Sequence, residues 1–445
     1  MKPVFSVILW NDEKPNFNHT VIFPAYPYAL EDILEKAQAK NEASLHWEIN
    51  DTVFDLEYLL PISERSGSIR ELNALAQKLS ELDRAQQIGF LGLLKLEQGT
   101  LDAPLPLSRI IDLAYGTQCC QVIPELRSEV ELAYHCVEEG LIPEFKDLPQ
   151  EQLRLINYPL LGEKQRKAEG GVFVQSKSSS MSGYVRQTAP IGHTSLDLTP
   201  ERPKYAMLLS ISNKWSSGAR RSKQALLELP MAEDALTSIL AEYDGLGDDG
   251  EVWDRIAWRG RDCVVPQLTD MLFDYGSDRG YTESAMRYLN YLAGKLSRVK
   301  PEILPAYKAL LSAMDCRDLS TADRLLDAVD SYRLSPQINN PSDMVEDKLN
   351  KLSGQNVSLL ISHVNMDRYG ETLIEESGGE LTPYGLLTRR NGQPVKDVRN
   401  QPEQLGWQSG MGDITKLDGA RLPPVDIICG GSPCQDCPWP GRALV

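Results

Sequence analysis

Hydrophobic residues trace the same succession of elements twice along the chain. Residues 5–10 form an apolar stretch typical of a β-strand, and residues 205–211 form another. A polar loop follows each stretch, and a second strand then ends at Phe23 in the first case and at Leu229 in the second. Apolar residues at helical spacing come next in both places, which predicts a helix after each pair of strands.

The clearest repetition is a helical block. Residues 70–80 read RELNALAQKLS and residues 287–297 read RYLNYLAGKLS, at an offset of 217 residues. Leu72, Leu75 and Leu79 fall on one face of the first block, which predicts an amphipathic helix. Three further pairs of segments match in the same order: 24–34 with 230–240, 109–112 with 324–327, and 157–171 with 365–379. Matches in one order at a nearly constant offset indicate a tandem duplication.

Polar residues and glycines inside the repeat are predicted to be structural. We expect Asn73 and Asn290 to satisfy backbone groups beside their helices rather than to bind a ligand. The glycine pairs 170–171 and 378–379 are predicted to be turns before a strand, because no dinucleotide-binding pattern surrounds them. Ser108 is predicted to be the N-cap of a helix.

These patterns predict an α+β fold, with one unit of small mixed sheets and amphipathic helices present in tandem. The first unit spans residues 1–173 and the second spans residues 205–395. Residues 174–204 are rich in Ser, Thr and Pro, and they are predicted to be a flexible linker. Residues 396–445 form a tail that lies outside the repeat.

Composition points to basic partners. The chain has 63 Asp and Glu against 46 Lys and Arg, a formal net charge of −17 at pH 7. An acidic surface repels nucleic acid and attracts basic clefts, although acidic proteins are common among bacterial cytoplasmic proteins. The first ten residues do not read as a signal peptide, and no apolar run is long enough to span a membrane, so we expect a cytoplasmic protein. Scattered cysteines and histidines predict no metal site.

Carboxylates that could contact a basic partner occur in both units. A single exposed carboxylate is ordinarily a solvated surface residue, so only the array as a whole supports this prediction. The candidates are Glu48, Asp51, Asp55, Glu57, Glu138, Glu139, Glu242, Asp244, Asp248, Asp249, Glu251 and Asp254. Basic residues between Lys204 and Lys223 surround Trp215. They argue against a basic partner, since such a stretch can bind nucleic acid.

Several segments resemble the ArdA antirestriction family. They are residues 71–79 (ELNALAQKL), residues 105–114 (LPLSRIIDLA), the adjacent cysteines 119–120, and residues 168–173 (AEGGVF). The resemblance extends well over residues 1 to about 190 and more loosely over residues 205 to about 395. It implies an elongated ArdA-like unit, and the duplication of this unit departs from the simplest members of the family.

The resemblance also implies a function. Proteins of this family carry surface carboxylates in place of DNA phosphates and occupy the DNA-binding cleft of type I restriction-modification enzymes. They perform no chemistry, need no cofactor, and are not expected to bind nucleic acid or membranes directly. The typical form is a homodimer, and the duplication leaves open whether this chain dimerises.

The tail resembles a different family. Residues 412–414 (GDI), 425–428 (VDII) and 430–436 (GGSPCQD) are similar to parts of the DNA cytosine-5 methyltransferases. The resemblance implies that Cys434 would attack a flipped cytosine and that Asp413 would contact the adenine of S-adenosylmethionine. The family's Phe-x-Gly-x-Gly and Glu-Asn-Val motifs have no match in this sequence.

Three hypotheses therefore follow from the sequence. The first is an antirestriction protein with a methyltransferase fragment fused to it. The second is a DNA (cytosine-5-)-methyltransferase that is truncated or split, in which case S-adenosylmethionine is the cofactor. The third is an ArdA-derived scaffold for another basic enzyme of nucleic acid metabolism. A catalytic loop without its cofactor and target-recognition motifs cannot turn over, so we favour the first.

Overall fold

The computed structural model divides the chain into two units, Met1–Val395 and Lys396–Val445. It describes the following residues: 2–12, 14–38, 44–52, 65–66, 68–99, 105–124, 126–146, 148–175, 181–199, 202–213, 224–244, 256–277, 282–351 and 365–396. The described part of the first unit combines helices with small sheets, as the α+β prediction requires.

The described strands are β1 (Phe5–Asn11), β2 (Lys14–Phe23), β3 (Leu45–Thr52), β4 (Arg65–Ser66), β5 (Cys120–Ile123), β6 (Val172–Val174), β7 (Gly183–Gln187), β8 (Met207–Asn213), β9 (Gln224–Leu229), β10 (Ile256–Cys263), β11 (Tyr332–Ser335), β12 (Glu380–Thr382) and β13 (Gly385–Arg389). The described α-helices are α1 (Pro27–Ala37), α2 (Ile69–Glu81), α3 (Arg84–Gln98), α4 (Leu107–Tyr115), α5 (Glu129–Glu138), α6 (Gln150–Leu153), α7 (Tyr158–Glu169), α8 (Glu233–Asp244), α9 (Gln267–Ser277), α10 (Thr282–Arg298), α11 (Leu304–Ala313), α12 (Leu319–Ala328), α13 (Pro341–Lys351) and α14 (Met366–Ser377). We call β1 to β7 with their helices copy one, and β8 to β13 with theirs copy two.

Each copy begins with a sheet whose first strand lies between its neighbours. The strand orders are β2-β1-β3-β4 in copy one and β10-β8-β9 in copy two. Phe5, Val7 and Leu9 of β1 point into the core while the residues between them are half-buried. This period of two is what the apolar stretch 5–10 predicts.

All described strand pairs are antiparallel, so the prediction of mixed sheets is wrong in this respect. The first two strands of each copy pair directly with each other, and the intervening helix then returns the chain so that the third strand also runs antiparallel to the first. The second sheets have the orders β5-β7-β6 and β11-β13-β12.

Part of the predicted linker belongs to copy one. Residues 183–187 form β7, the central strand of its second sheet. Further along, Ile191 packs against the core, and the backbone N–H of Thr194 donates to the Asp112 carboxylate at 2.7 Å. The buried pair Tyr184 and Val185 supplies the apolar side chains that a strand needs.

A large core in each copy is formed by its first sheet and the helices α2 to α4 or α9 to α12. A smaller cluster joins α5 to the second sheet in copy one, and another joins α13 to α14 in copy two. The predicted amphipathic helix is confirmed, because Leu72, Leu75, Ala76 and Leu79 of α2 are all buried.

The repeated polar residues have the same structural roles in both copies. The side-chain amide of Asn73 bonds both backbone groups of Ala25, and that of Asn290 bonds both groups of Met231, at 2.8–3.2 Å. The structural prediction for these asparagines is therefore confirmed. Ser108 is not the N-cap of α4, because the helix begins at Leu107, one residue earlier than expected.

The glycines of the repeat are also structural. Gly170 and Gly378 end α7 and α14 in the left-handed conformation, with φ of 61° and 63°. Each precedes a strand, as the sequence predicts. Gly162 and Gly370 are buried where the two helices of each pair cross, and a Cβ there would lie 1.8 and 2.0 Å from a backbone oxygen of the facing helix.

We expect Gly162→Ala to destabilise the protein, even though alanine favours a helix over glycine by about 1 kcal/mol. The new methyl group would meet the backbone carbonyl of Glu129, and such overpacking costs about 1–3 kcal/mol beyond that gain. The measurement is urea unfolding of the variant beside Gly192→Ala, since Gly192 has open space around it. A Gly162→Ala protein as stable as the wild type would contradict the close helix crossing.

Candidate functional site

The predicted carboxylates of copy one form two pairs on separate elements. Glu48 lies on the half-buried face of β3, and Asp51 is exposed near the end of the same strand. Glu138 and Glu139 are exposed at the C-terminal end of α5. The sequence therefore identified four accessible or partly accessible charges here, but not one continuous row along a single element.

In copy two, Glu242 and Asp244 lie near the C-terminal end of α8. Lys204 is exposed, while Trp215 and the rest of the basic stretch lie outside the described residues. The other predicted site residues outside the described part are Asp55, Glu57, Asp248, Asp249, Glu251, Asp254, Asp413 and Cys434.

Helix α14 carries an acidic face that the sequence analysis missed. Asp367, Glu371 and Glu375 are exposed at four-residue intervals, which places them about 6 Å apart along the helix axis. Glu346 on the neighbouring helix α13 is exposed as well. The signal was present in the sequence, because Arg368 is the one basic residue among the twelve of α14.

Copy one docks onto copy two through the N-terminal end of α1. The backbone N–H groups of Tyr28 and Ala29 donate to the carboxylate of Asp262 at 3.2 and 3.3 Å. The hydroxyl of Tyr205 donates to the same carboxylate at 2.9 Å. A helix N-terminus has free N–H groups and a partial positive charge, so it offsets part of the cost of burying this carboxylate.

Asp51 and Asp262 hold the same place in the two first sheets. Asp51 pairs with Ser6 and Asp262 pairs with Leu208, the second residue of β1 and of β8 respectively. Both lie beside a break in the strand register. One position of the repeat is therefore a buried docking group in copy two and an exposed charge in copy one.

A second polar cluster lies further along α1. The carboxylate of Asp32, which is only 2% exposed, lies 2.8 Å from the Lys36 ammonium and 3.0 Å from the Lys308 ammonium. The hydroxyl of Tyr384 donates to it at 2.8 Å. Lys308 also pairs with Glu35 at 2.6 Å. Two residues of copy one thus neutralise a buried lysine of copy two.

The electrostatics of the interface follow from burial and these partners. Burial acts to raise the pKa of Asp32, but Lys308 and Lys36 outweigh it and hold the pKa below its usual value. Burial acts to lower the pKa of Lys308, but Asp32 and Glu35 raise it above its usual value. No described cation opposes the burial of Asp262, which raises its pKa to about 6 despite the hydrogen bonds that it accepts.

A cleft of about 540 Å³ opens beside the second cluster. Glu35 and Gln38 line it from copy one, and Arg333, Tyr384 and Arg390 line it from copy two. Because charges of both signs line this cleft, its chemistry does not select one class of ligand.

The sequence held one visible sign of this interface. Residues 304–313 read LPAYKALLSA, so Lys308 interrupts an otherwise apolar helix at a position where copy one has Leu91. A buried lysine among apolar residues needs an acidic partner. The partner could not be identified from the sequence, since Asp32 lies 276 residues away.

The described residues offer little for metal or thiol chemistry. No helix among them is long and apolar enough to cross a membrane, and they contain no group of three His, Cys, Asp or Glu side chains that could hold a metal ion. Their cysteines are free thiols. Burial raises the pKa of the Cys120 thiol to about 11, which keeps it protonated at neutral pH.

We expect Lys308→Leu, which introduces the residue of copy one, to destabilise the protein by about 3–5 kcal/mol, because it leaves Asp32 buried without its inter-copy partner. Asp32→Ser introduces the residue that copy two has at the matched position, Ser238. The double variant should lose less than the sum of the single losses, with a coupling energy of at least about 1 kcal/mol. Urea unfolding of the four proteins measures this cycle, and additive losses would contradict the contact.

Asp262 should make the stability of the protein depend on pH. Its pKa rises from 3.8 in the unfolded chain to about 6 in the folded protein, so the folded state holds a proton longer. The stability that this proton contributes is fully present below the unfolded-state pKa, and it is lost as the pH rises through the folded-state pKa. Asp262→Asn removes this titration. The free energy of unfolding of the wild type minus that of the variant should therefore fall from about pH 4 to about pH 7, and a constant difference would contradict the assignment.

Comparison with known proteins places this chain in no family. No family model matches it. No curated protein is significantly similar to it. The charged surfaces and the interface between the copies are therefore the observations on which a function can be argued.

Proposed function

We propose that this chain is an antirestriction protein, an acidic mimic of DNA that blocks the DNA-binding cleft of type I restriction-modification enzymes. The proposal rests on the resemblance of both copies to the ArdA family and on the net charge of −17. A cleft lined with Lys and Arg attracts a protein that presents carboxylates where DNA presents phosphates.

The acidic face of α14 is the observation that supports this function most directly. The phosphates of one DNA strand are spaced about 3.4 Å apart along the axis, so carboxylates about 6 Å apart along a helix resemble every second phosphate. Asp367, Glu371 and Glu375 have this spacing and are exposed. At the matched positions copy one has Pro159, and a Glu163 that pairs with Lys167 at 2.6 Å.

The interface between the copies gives the proposal a second support. The buried contacts of α1 with Asp262 and Lys308 fix copy one against copy two. Charges on both copies then keep a fixed arrangement, so binding to an enzyme does not have to order two loosely joined units.

The direct test is a titration of the purified protein into a DNA cleavage assay with an ATP-dependent type I restriction enzyme. We expect inhibition near stoichiometric concentration at low salt, which weakens as salt screens the charges. Full cleavage at a large excess of the protein would contradict the proposal for that enzyme.

The triple variant Asp367→Asn, Glu371→Gln, Glu375→Gln should inhibit at least about tenfold less at low salt, because it loses three aligned charges of about 0.5 kcal/mol or more each. A matched control removes three exposed carboxylates that are spread over other helices and loops: Glu81→Gln, Asp270→Asn and Glu302→Gln. Both variants have the same net charge. Equal losses would show that total charge, and not the face of α14, determines inhibition.

A further inference from the structure

The helix pair α5–α7 of copy one exposes an unusual share of apolar side chains. Ten large apolar side chains are exposed among the described residues, and half of them lie in this one segment: Val130, Tyr134, Leu141, Leu155 and Leu160. Tyr134 also stacks on Tyr158, with ring centroids 4.0 Å apart. Leu155 is 85% exposed. Burying such groups against a partner is favourable.

Three of these positions are polar in copy two. The equivalent cap residues Asn157 and Asn365 align the sequence of α7 with that of α14. Glu129 of α5 and Pro341 of α13 face the equivalent crossing glycines, so these two residues are also aligned. In this alignment the residues of copy two that replace Val130, Tyr134 and Leu160 are Ser342, Glu346 and Arg368.

The fold therefore does not require these apolar residues at the surface. Ser342 donates a hydrogen bond to Asp367 at 2.7 Å in copy two, where copy one has Val130 and Pro159. Two copies of one helix pair have thus diverged, one towards a polar and acidic surface and the other towards an apolar one.

Charge at the edge of the apolar surface indicates the kind of partner. Glu138 and Glu139 are exposed at the C-terminal end of α5, where the helix dipole disfavours negative charge. They do not stabilise the helix, and they lie one to two turns beyond Tyr134. Arg154 and Lys164 are exposed beside Leu155 and Leu160, but residues 129–169 carry nine Asp and Glu against five Lys and Arg. The excess of negative charge favours a partner that carries Lys or Arg beside apolar side chains.

We propose that the apolar surface of α5–α7 docks a basic amphipathic segment of the enzyme that this protein inhibits. This inference rests on the proposed function and adds a contact to it that does not depend on charge. Salt screens the carboxylate contacts but not the burial of apolar side chains, so this surface would sustain inhibition at higher salt.

The test replaces three residues of copy one by those of copy two: Val130→Ser, Tyr134→Glu and Leu160→Arg. The net charge does not change. We expect the triple variant to inhibit at least about tenfold less than the wild type at both about 0.02 M and about 0.2 M salt, because salt does not screen the lost apolar burial. The control Ile22→Ser with Leu226→Ser, which alters two exposed apolar residues in the sheets, should inhibit like the wild type at both.

The variant Glu138→Gln, Glu139→Gln should instead lose more inhibition at low salt than at high salt, because it removes screened charge contacts. Circular dichroism and thermal unfolding check that each variant folds.

If the wild type inhibits and the triple variant equals it at both salt concentrations, the docking surface is wrong while the proposed function stands. If the wild type never inhibits, both are wrong. A wild-type dimer in sedimentation that the triple variant dissociates would assign the surface to a second copy and overturn the inference.

Discussion

The docking of one helix onto the other copy is the contact on which the arrangement of the first unit depends. Helix α1 presents its N–H groups to the buried Asp262 and its acidic side chains to the buried Lys308. A lysine and a carboxylate can be buried only when each has a charged or hydrogen-bonded partner, and here the partners come from different copies. The two copies are therefore matched to each other by charge as well as by shape.

The two copies share the residues that build the scaffold and differ in their surface residues. The asparagine bonds to the backbone, the helix caps and the crossing glycines occur at matched positions in both copies. Surface positions differ, so that Asp51 is exposed where Asp262 is buried, and α14 is acidic where α7 pairs its charges. Such divergence lets one chain combine an acidic surface with an apolar one, as the proposed function requires.

Much of the fold could be predicted because it depends on local patterns. Period-two apolar residues in β1 and β8, helical spacing in α2, and the repeat itself are properties of neighbouring residues in the sequence. The interface could not be predicted, since Asp32 and Lys308 meet only in the folded chain and their spacing carries no sequence signal. Of the candidate carboxylates, Asp51, Glu138 and Glu139 are exposed, and their contact with a partner stays a prediction; the acidic face of α14 was overlooked.

The central claim is that this protein occupies the place of DNA on a restriction enzyme. The most direct measurement is displacement of a fluorescent DNA duplex from a purified type I enzyme by increasing amounts of the protein, followed by anisotropy. We expect full competitive displacement, with a half-displacement concentration that rises with the DNA concentration and an affinity of the protein for the enzyme that falls as salt is raised. A ternary complex of enzyme, DNA and this protein, or no displacement at a large excess, would contradict it.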